Sequence, residues 1–233
     1  MGAVVGGIDS DVPSLYCRPQ MGWYDVFSCF YDQTLTSLYI DARREACLAL
    51  DPRPKDTVLD LPCGTGQSFD VLAPALADGG HLVGVDLSDG MLRRAKERIA
   101  RNGWTHVQAM QADVLSLERA TLETVAPRVD ALHVFLGMSA FPDWENAFRR
   151  AWDLLVPGGR CVVVDVYSAA PGVQGHMVNA VARADIRRRF WEPLENVAED
   201  YSRCELPSLP DHGGQLYLAR GRKPARSATA TGS

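Results

Sequence analysis

Short apolar runs alternate along the chain with amphipathic stretches, and the period changes between them. Thr57 to Leu61 (TVLDL), His81 to Asp86 (HLVGVD), Val129 to Leu136 and Cys161 to Tyr167 (CVVVDVY) have the pattern of buried strands. A further strand is predicted near His106 to Met110, and GGQLYLARG reads as a final strand with no helix after it. Between these runs the spacing turns helical. Asp32 to Leu50 carries Leu35, Leu38, Tyr39, Ala42, Ala46 and Leu50 at close to the helical period. A second helix is predicted from about Gln67, kinked at Pro74 and ended by Gly79-Gly80. A third runs from the N-cap Ser88 to about Arg101, and a fourth covers Leu117 to Val125. A fifth, Asp143 to Leu155, is closed by Pro157-Gly158-Gly159. Strands alternating with helices at this spacing predict an α/β fold, a parallel sheet with helices on both faces.

The pattern extends from about Trp23 to Leu218, without a repeat or a linker, and so argues for one domain over residues 21–221. Residues 1–20, rich in Gly, Pro and small side chains, are expected to be loose. The polar tail, 222–233, is expected to be disordered. A chain of 233 residues buries enough surface to need no disulfide or metal staple. Lys and Arg number 24 against 29 Asp and Glu, a net charge of −5, which argues against nucleic acid held by bulk charge. No apolar run approaches the roughly 18 residues that cross a bilayer. MGAVVGGIDSDVPS lacks the basic flank of a secretory leader, and Gly6 stands where a myristoylation signal wants Ser or Thr. Cys17, Cys29, Cys47, Cys63, Cys161 and Cys204 form no C-x-x-C pair. They are expected to be free thiols in a cytoplasmic protein with no metal, a zinc or thiol-based arsenic site being the alternative.

The chemistry concentrates in D-L-P-C-G-T-G, Asp60 to Gly66, which leaves a buried strand and enters a helix. Gly64 and Gly66 permit positive φ and close approach of a ligand to the backbone. Asp60 stands at the strand end, where it suits a cation such as an α-ammonium group. Asp86 ends the second strand, where an acid can accept hydrogen bonds from both ribose hydroxyls. Asp113 follows the third strand, where a carboxylate suits an adenine amino group. Each acid alone reads as a turn or cap residue; three at consecutive strand ends line the edge where open α/β sheets bind ligands. A dinucleotide fingerprint needs a third Gly, and Phe69 stands in its place. The set points to adenosine joined to an amino acid.

These segments resemble the motifs of the class I S-adenosylmethionine-dependent methyltransferases. V-L-D-L-P-C-G-T-G is similar to the first motif, G-V-D-L-S to the second, Q-A-D-V to the third, and L-L-V-P-G-G-R-C-V-V-V-D to the segment entering the fifth strand. Pro62 departs from the usual Gly of the first motif. W-Y-D-V-F-S-C-F-Y-D and the stretch Phe135 to Trp144 resemble the ubiquinone/menaquinone C-methyltransferases and their small-molecule and phospholipid relatives. The resemblance implies a Rossmann-like, seven-stranded, mostly parallel sheet with an antiparallel last strand and an N-terminal helical lid. It implies S-adenosylmethionine as cofactor, with S-adenosylhomocysteine as product. Carried over by position, Asp60, Gly64 and Gly66 would meet the methionine part, Asp86 the ribose, and Leu87 and Met91 the faces of adenine. Asp113 and Val114 would lie at the adenine edge, Phe135 would approach the sulfonium, and Tyr24 and Tyr31 would belong to the lid.

Methyl transfer from a sulfonium needs alignment more than acid–base help, so a missing catalytic triad does not count against it. Asp165, ending the fifth strand, and His176, after the Pro171-Gly172 turn, are the candidate catalytic bases; His133 reads as a core histidine. Arg183, Arg187, Arg188 and Arg189, followed by Phe190 and Trp191, form the one basic cluster. It suits an acidic substrate or peripheral contact with anionic lipid, or else a solvated helix face. The expected acceptor is a small molecule: a quinone-like or polyketide-type carbon or oxygen, or a lipid or amine nitrogen. The alternatives are a non-catalytic S-adenosylmethionine-binding protein and an NAD(P)-dependent oxidoreductase. The sequence does not fix the oligomeric state, and a homodimer stays open.

Overall fold

Runs of Val and Leu with no polar face have to be covered on both sides, and they take the middle of a sheet. The computed structural model describes residues 38–126 and 128–225. Its strands are β1 (Thr57–Asp60), β2 (His81–Asp86), β3 (Val107–Gln111), β4 (Val129–Phe135), β5 (Leu155–Tyr167), β6 (Glu199–Leu206) and β7 (Gln215–Arg222). They form one seven-stranded sheet in the order β3-β2-β1-β4-β5-β7-β6. Every residue of β1 and β4 is buried. The first five strands pair in parallel, and β7 lies antiparallel between β5 and β6. The expected Rossmann-like architecture is the one observed.

The helices are α1 (Ile40–Leu50), α2 (Phe69–Leu72), α3 (Asp89–Asn102), α4 (Arg119–Glu123), α5 (Trp144–Leu154), α6 (Val173–Ala182) and α7 (Glu192–Glu195). One sheet face is packed by Ala46 and Leu50 of α1, Phe69 of α2 and Leu92 of α3. The other is packed by Phe148 and Trp152 of α5 and Leu194 of α7. β2 and β4 lie on opposite sides of β1, so their crossovers diverge and leave a crevice at the carboxyl ends of β1 and β4.

Local signals explain most boundaries. The Ser88 hydroxyl accepts from the Met91 N–H at 3.3 Å and caps α3, which ends at Gly103 with φ 65°. Pro74 does not kink a long helix. It sits in the first turn of a 3₁₀ segment, Ala73–Leu76, that takes over directly from α2. Pro157-Gly158-Gly159 does not stand outside the strand either. β5 begins at Leu155, paired with Val129. Gly158, at φ 76°, donates to the Lys223 carbonyl at 2.8 Å.

The Arg183–Trp191 segment is irregular rather than helical. Arg187 pairs with Asp185, and Arg189 with Glu192. Phe190 and Trp191 are only 1% and 4% exposed, with Trp191 packed on Tyr167 and Tyr217. These two rings fill the core and offer no apolar surface to a membrane. No helix among the described residues is long and apolar enough to cross a bilayer.

Candidate active site

The turn after β1 is built around two glycines in the left-handed region, Gly64 at φ 55° and Gly66 at φ 76°. Their surroundings differ. A Cβ at Gly66 would lie 2.6 Å from the Phe69 ring, and one at Gly84 of β2 would lie 2.4 Å from it. Phe69 therefore occupies the space that both glycines leave, where a dinucleotide fold keeps its third glycine. A Cβ at Gly64 would meet nothing within 4 Å, because this residue borders an open cavity. The loop is held by the Cys63 N–H on the Val85 carbonyl (2.9 Å) and by the Arg98 Nε on the Thr65 carbonyl (3.2 Å).

The cavity measures about 180 Å³ and opens at the carboxyl end of β1, β2 and β4. Asp86, the last residue of β2, borders it with a nearly buried carboxylate. Oδ2 accepts from the Gly64 N–H at 2.8 Å and Oδ1 from the Ser88 N–H at 2.9 Å. Burial raises its pKa to about 6, against the lowering by these two backbone donors. Leu87 and Met91 add apolar surface beside it, and Phe135 closes the cavity at the end of β4. Gly64, Asp86, Leu87, Met91 and Phe135, anticipated from the sequence, thus share one cavity.

The other anticipated residues lie elsewhere. Asp60 is buried behind the loop, its Oδ1 on His133 Nδ1 at 2.7 Å, and does not border the cavity. Asp60 Oδ2 and His133 Nε2 have no hydrogen-bond partner among the described residues. Gly66 shapes the loop from beneath through Phe69. Asp113 accepts from the Leu115 N–H at 3.0 Å, capping a 3₁₀ turn, and Val114 is packed in the core; neither borders the cavity. Asp165 is buried, with Oδ2 on the Ser139 N–H and Oδ1 on the Ser139 hydroxyl, both at 2.8 Å. His176 is exposed on α6. Tyr24 and Tyr31 lie outside the described residues.

Arg43 was not anticipated. It is buried on α1, borders the cavity, and places its guanidinium carbon 4.4 Å from the Phe135 ring centroid. Its signal was in the helical phase: Arg43 shares the buried stripe of Ala46 and Leu50, where a charge is costly without a use. Thr65, Gln67, Ser68 and Ser88 add polar groups to the wall, and its apolar part includes Pro62 and Leu136, Phe141 and Pro142 beyond β4, and Ala182 at the end of α6.

Residues 58–159 match the methyltransferase domain family. The chain is 25% identical over 226 residues to a demethylmenaquinone methyltransferase of Desulfitobacterium hafniense, covering 86% of this chain and 85% of that protein. It is 32% identical over 133 residues to the demethylmenaquinone methyltransferase of Thermus thermophilus, covering 57% of each. Its fold matches that of a geranyl diphosphate methyltransferase solved with S-adenosylmethionine, with a TM-score of 0.65 and 20% identity over 88% of this chain and 92% of that one. With the glycine turn, the acid ending β2 and the order of the strands, these similarities point one way: residues 58–159 are a methyltransferase domain of the S-adenosylmethionine-dependent kind.

Proposed function

We propose that the protein methylates an apolar small-molecule acceptor, a quinone-like or polyketide-type ring, at carbon or oxygen. The observation that carries this reading is the Asp86 carboxylate, fixed by two backbone N–H groups beside Gly64, in a cavity whose far side is the apolar group Pro62, Leu136, Phe141, Pro142 and Ala182, while Thr65, Gln67, Ser68 and Ser88 line it on the side of the glycine turn and α3. The site fits S-adenosylmethionine. Asp86 would accept from the ribose hydroxyls, Leu87 and Met91 would flank the adenine, and the open backbone of Gly64 would admit the methionine part. Phe135, with Arg43 over its ring, would face the sulfonium end.

Bound S-adenosylmethionine supplies a methyl group already activated on sulfur. The chain has to align the acceptor with that methyl and exclude water. Correct alignment can supply on the order of 7–11 kcal/mol. Among the described residues, the titratable side chains in the wall are Arg43, Cys63 and Asp86. Burial holds the Cys63 thiol well above its ordinary pKa, so it stays protonated, and Asp86 is committed to the ribose. An acceptor that arrives already ionised, as an enolate or phenolate, attacks with no proton to give to this wall, and a neutral ring carbon releases its proton to solvent after the methyl has been transferred. An alkylammonium would first have to lose a proton, which favours carbon or oxygen over nitrogen. The names of the Desulfitobacterium and Thermus relatives support a ring acceptor of this kind.

Two measurements test the reading. Calorimetric titration is expected to show binding of S-adenosylhomocysteine and none of NAD. Incubation with methyl-labelled S-adenosylmethionine is expected to label a naphthoquinol more than a primary alkylamine. Binding of NAD without S-adenosylhomocysteine would remove the reading, and labelling of the amine alone would overturn the acceptor class.

A further inference from the structure

Asp165 lies in the valine-rich β5, 1% exposed, where an apolar side chain would cost less. Burial raises its pKa to about 6 in spite of the donors around it. Its hydrogen bonds to other elements all go to one residue. Besides the Val166 N–H at 2.8 Å, the carboxylate takes both the main-chain N–H and the hydroxyl of Ser139. On the other side of the same turn, one guanidinium nitrogen of Arg188 donates to the carbonyls of Met138 (3.0 Å), Ser139 (3.1 Å) and Phe141. The Asp185 N–H donates to the Ser139 carbonyl at 2.8 Å, and the Ala140 and Phe141 N–H groups both return to the Gly137 carbonyl. The turn is therefore gripped by an acid on its donors and by a base on its acceptors.

This turn is a wall of the cavity, to which Ala140, Phe141 and Pro142 contribute. It also leans on the glycine-rich loop. A Cβ at Gly137 would lie 2.2 Å from Cδ of Pro62, so the two segments touch with no room to spare. A shift of the turn is then a shift against the loop that carries Gly64.

We infer that Asp165 and Arg188 are positioning residues, an opposite-charge clamp on the Gly137–Phe141 turn that sets the wall of the cavity. This role accounts for a buried acid that does not border the cavity and so cannot act there as a base. The inference rests on the methyltransferase reading of the site. Neither Asp165 nor Arg188 borders the cavity, and they act through the main chain of the turn.

A double-mutant cycle read by calorimetric binding of S-adenosylhomocysteine tests it. Asp165→Asn keeps the volume but, whichever oxygen the amide nitrogen replaces, sets a donor against a main-chain N–H, and Arg188→Met removes the grip on the carbonyls. Each is expected to weaken binding about tenfold, on the order of 1.4 kcal/mol. The double variant is expected to be little weaker than either single one, because both act on one turn. Hydrogen exchange at the amides of residues 139–141 should speed up in both. Arg160→Lys loosens the buried pair with Asp56 at the other end of the sheet. It should lower the melting temperature without changing the affinity, which separates positioning from general destabilisation. If Asp165→Asn does not fold, Ser139→Ala, which removes the hydroxyl and keeps the main-chain bond, takes its place in the cycle. Unchanged affinity in both single variants overturns the clamp, as do fully additive losses or an equal loss in Arg160→Lys. A wild-type protein that fails to bind S-adenosylhomocysteine overturns the function instead.

Discussion

Two glycines separated by one residue carry different loads. A Cβ at Gly66 strikes the Phe69 ring, whereas one at Gly64 enters the cavity. Both hold positive φ, which costs an alanine about 1–2 kcal/mol. Gly66→Ala is therefore expected to lower stability in urea by more than that, through the added clash. Gly64→Ala should lose about that much stability but most of its affinity for S-adenosylhomocysteine. Asp86 separates stability from binding by pH. Its carboxyl titrates near 6 in the fold, above the ordinary value of 3.8, so the native state keeps a proton that the unfolded chain releases in between. The stability it contributes is full below about pH 4 and is lost as pH rises through 6. Binding that needs the ionised carboxylate runs the other way and weakens as pH falls below 6. Asp86→Asn should flatten the first trend and abolish the second, as paired melting and titration series at pH 4 to 7 would show. Asp86 was legible in the sequence because strand length and loop length fix its place beside the glycines. Arg43 was not legible, since it reaches the cavity only after α1 has packed across β4 and β5.

At the scale of elements, the sequence was most legible where burial left one solution. β1, β2 and β4 were bounded to within a residue, because an apolar run without a polar face must lie inside a sheet. β6 went unread because it is an edge strand with only Leu206 buried, and E-D-Y-S-R-C-E-L carries no alternation strong enough to mark it. The contact of α2 with β2 shows what Phe69 does in place of a glycine. Its ring lies over Gly66 and Gly84 and is wholly buried. Phe69→Ala is expected to cost about 3–5 kcal/mol in chemical denaturation. Phe69→Gly should not confer NAD binding, because Asp60 and Pro62 remain. Ser88→Ala, which uncaps α3, should cost about 1 kcal/mol, and Ser88→Asp should restore most of it.

For the whole molecule, the site lies where the sheet changes winding direction, so ligand binding is tied to the integrity of β1, β2 and β4 together. S-adenosylhomocysteine at a hundred times its dissociation constant is expected to add about 2.7 kcal/mol. In a chain of this size that raises the melting temperature by roughly 5–11 °C, whereas NAD should leave it unchanged. The order of the strands has a consequence for synthesis. β7 follows β6 in the chain yet lies between β5 and β6. A nascent chain that has reached Gly214 holds β5 with one side unpaired and β6 with no neighbour at all. Such open edges are adhesive. Release from the ribosome before Gln215–Arg222 should therefore give aggregates, and those eight residues act as the fastening that joins two unpaired strands into one sheet.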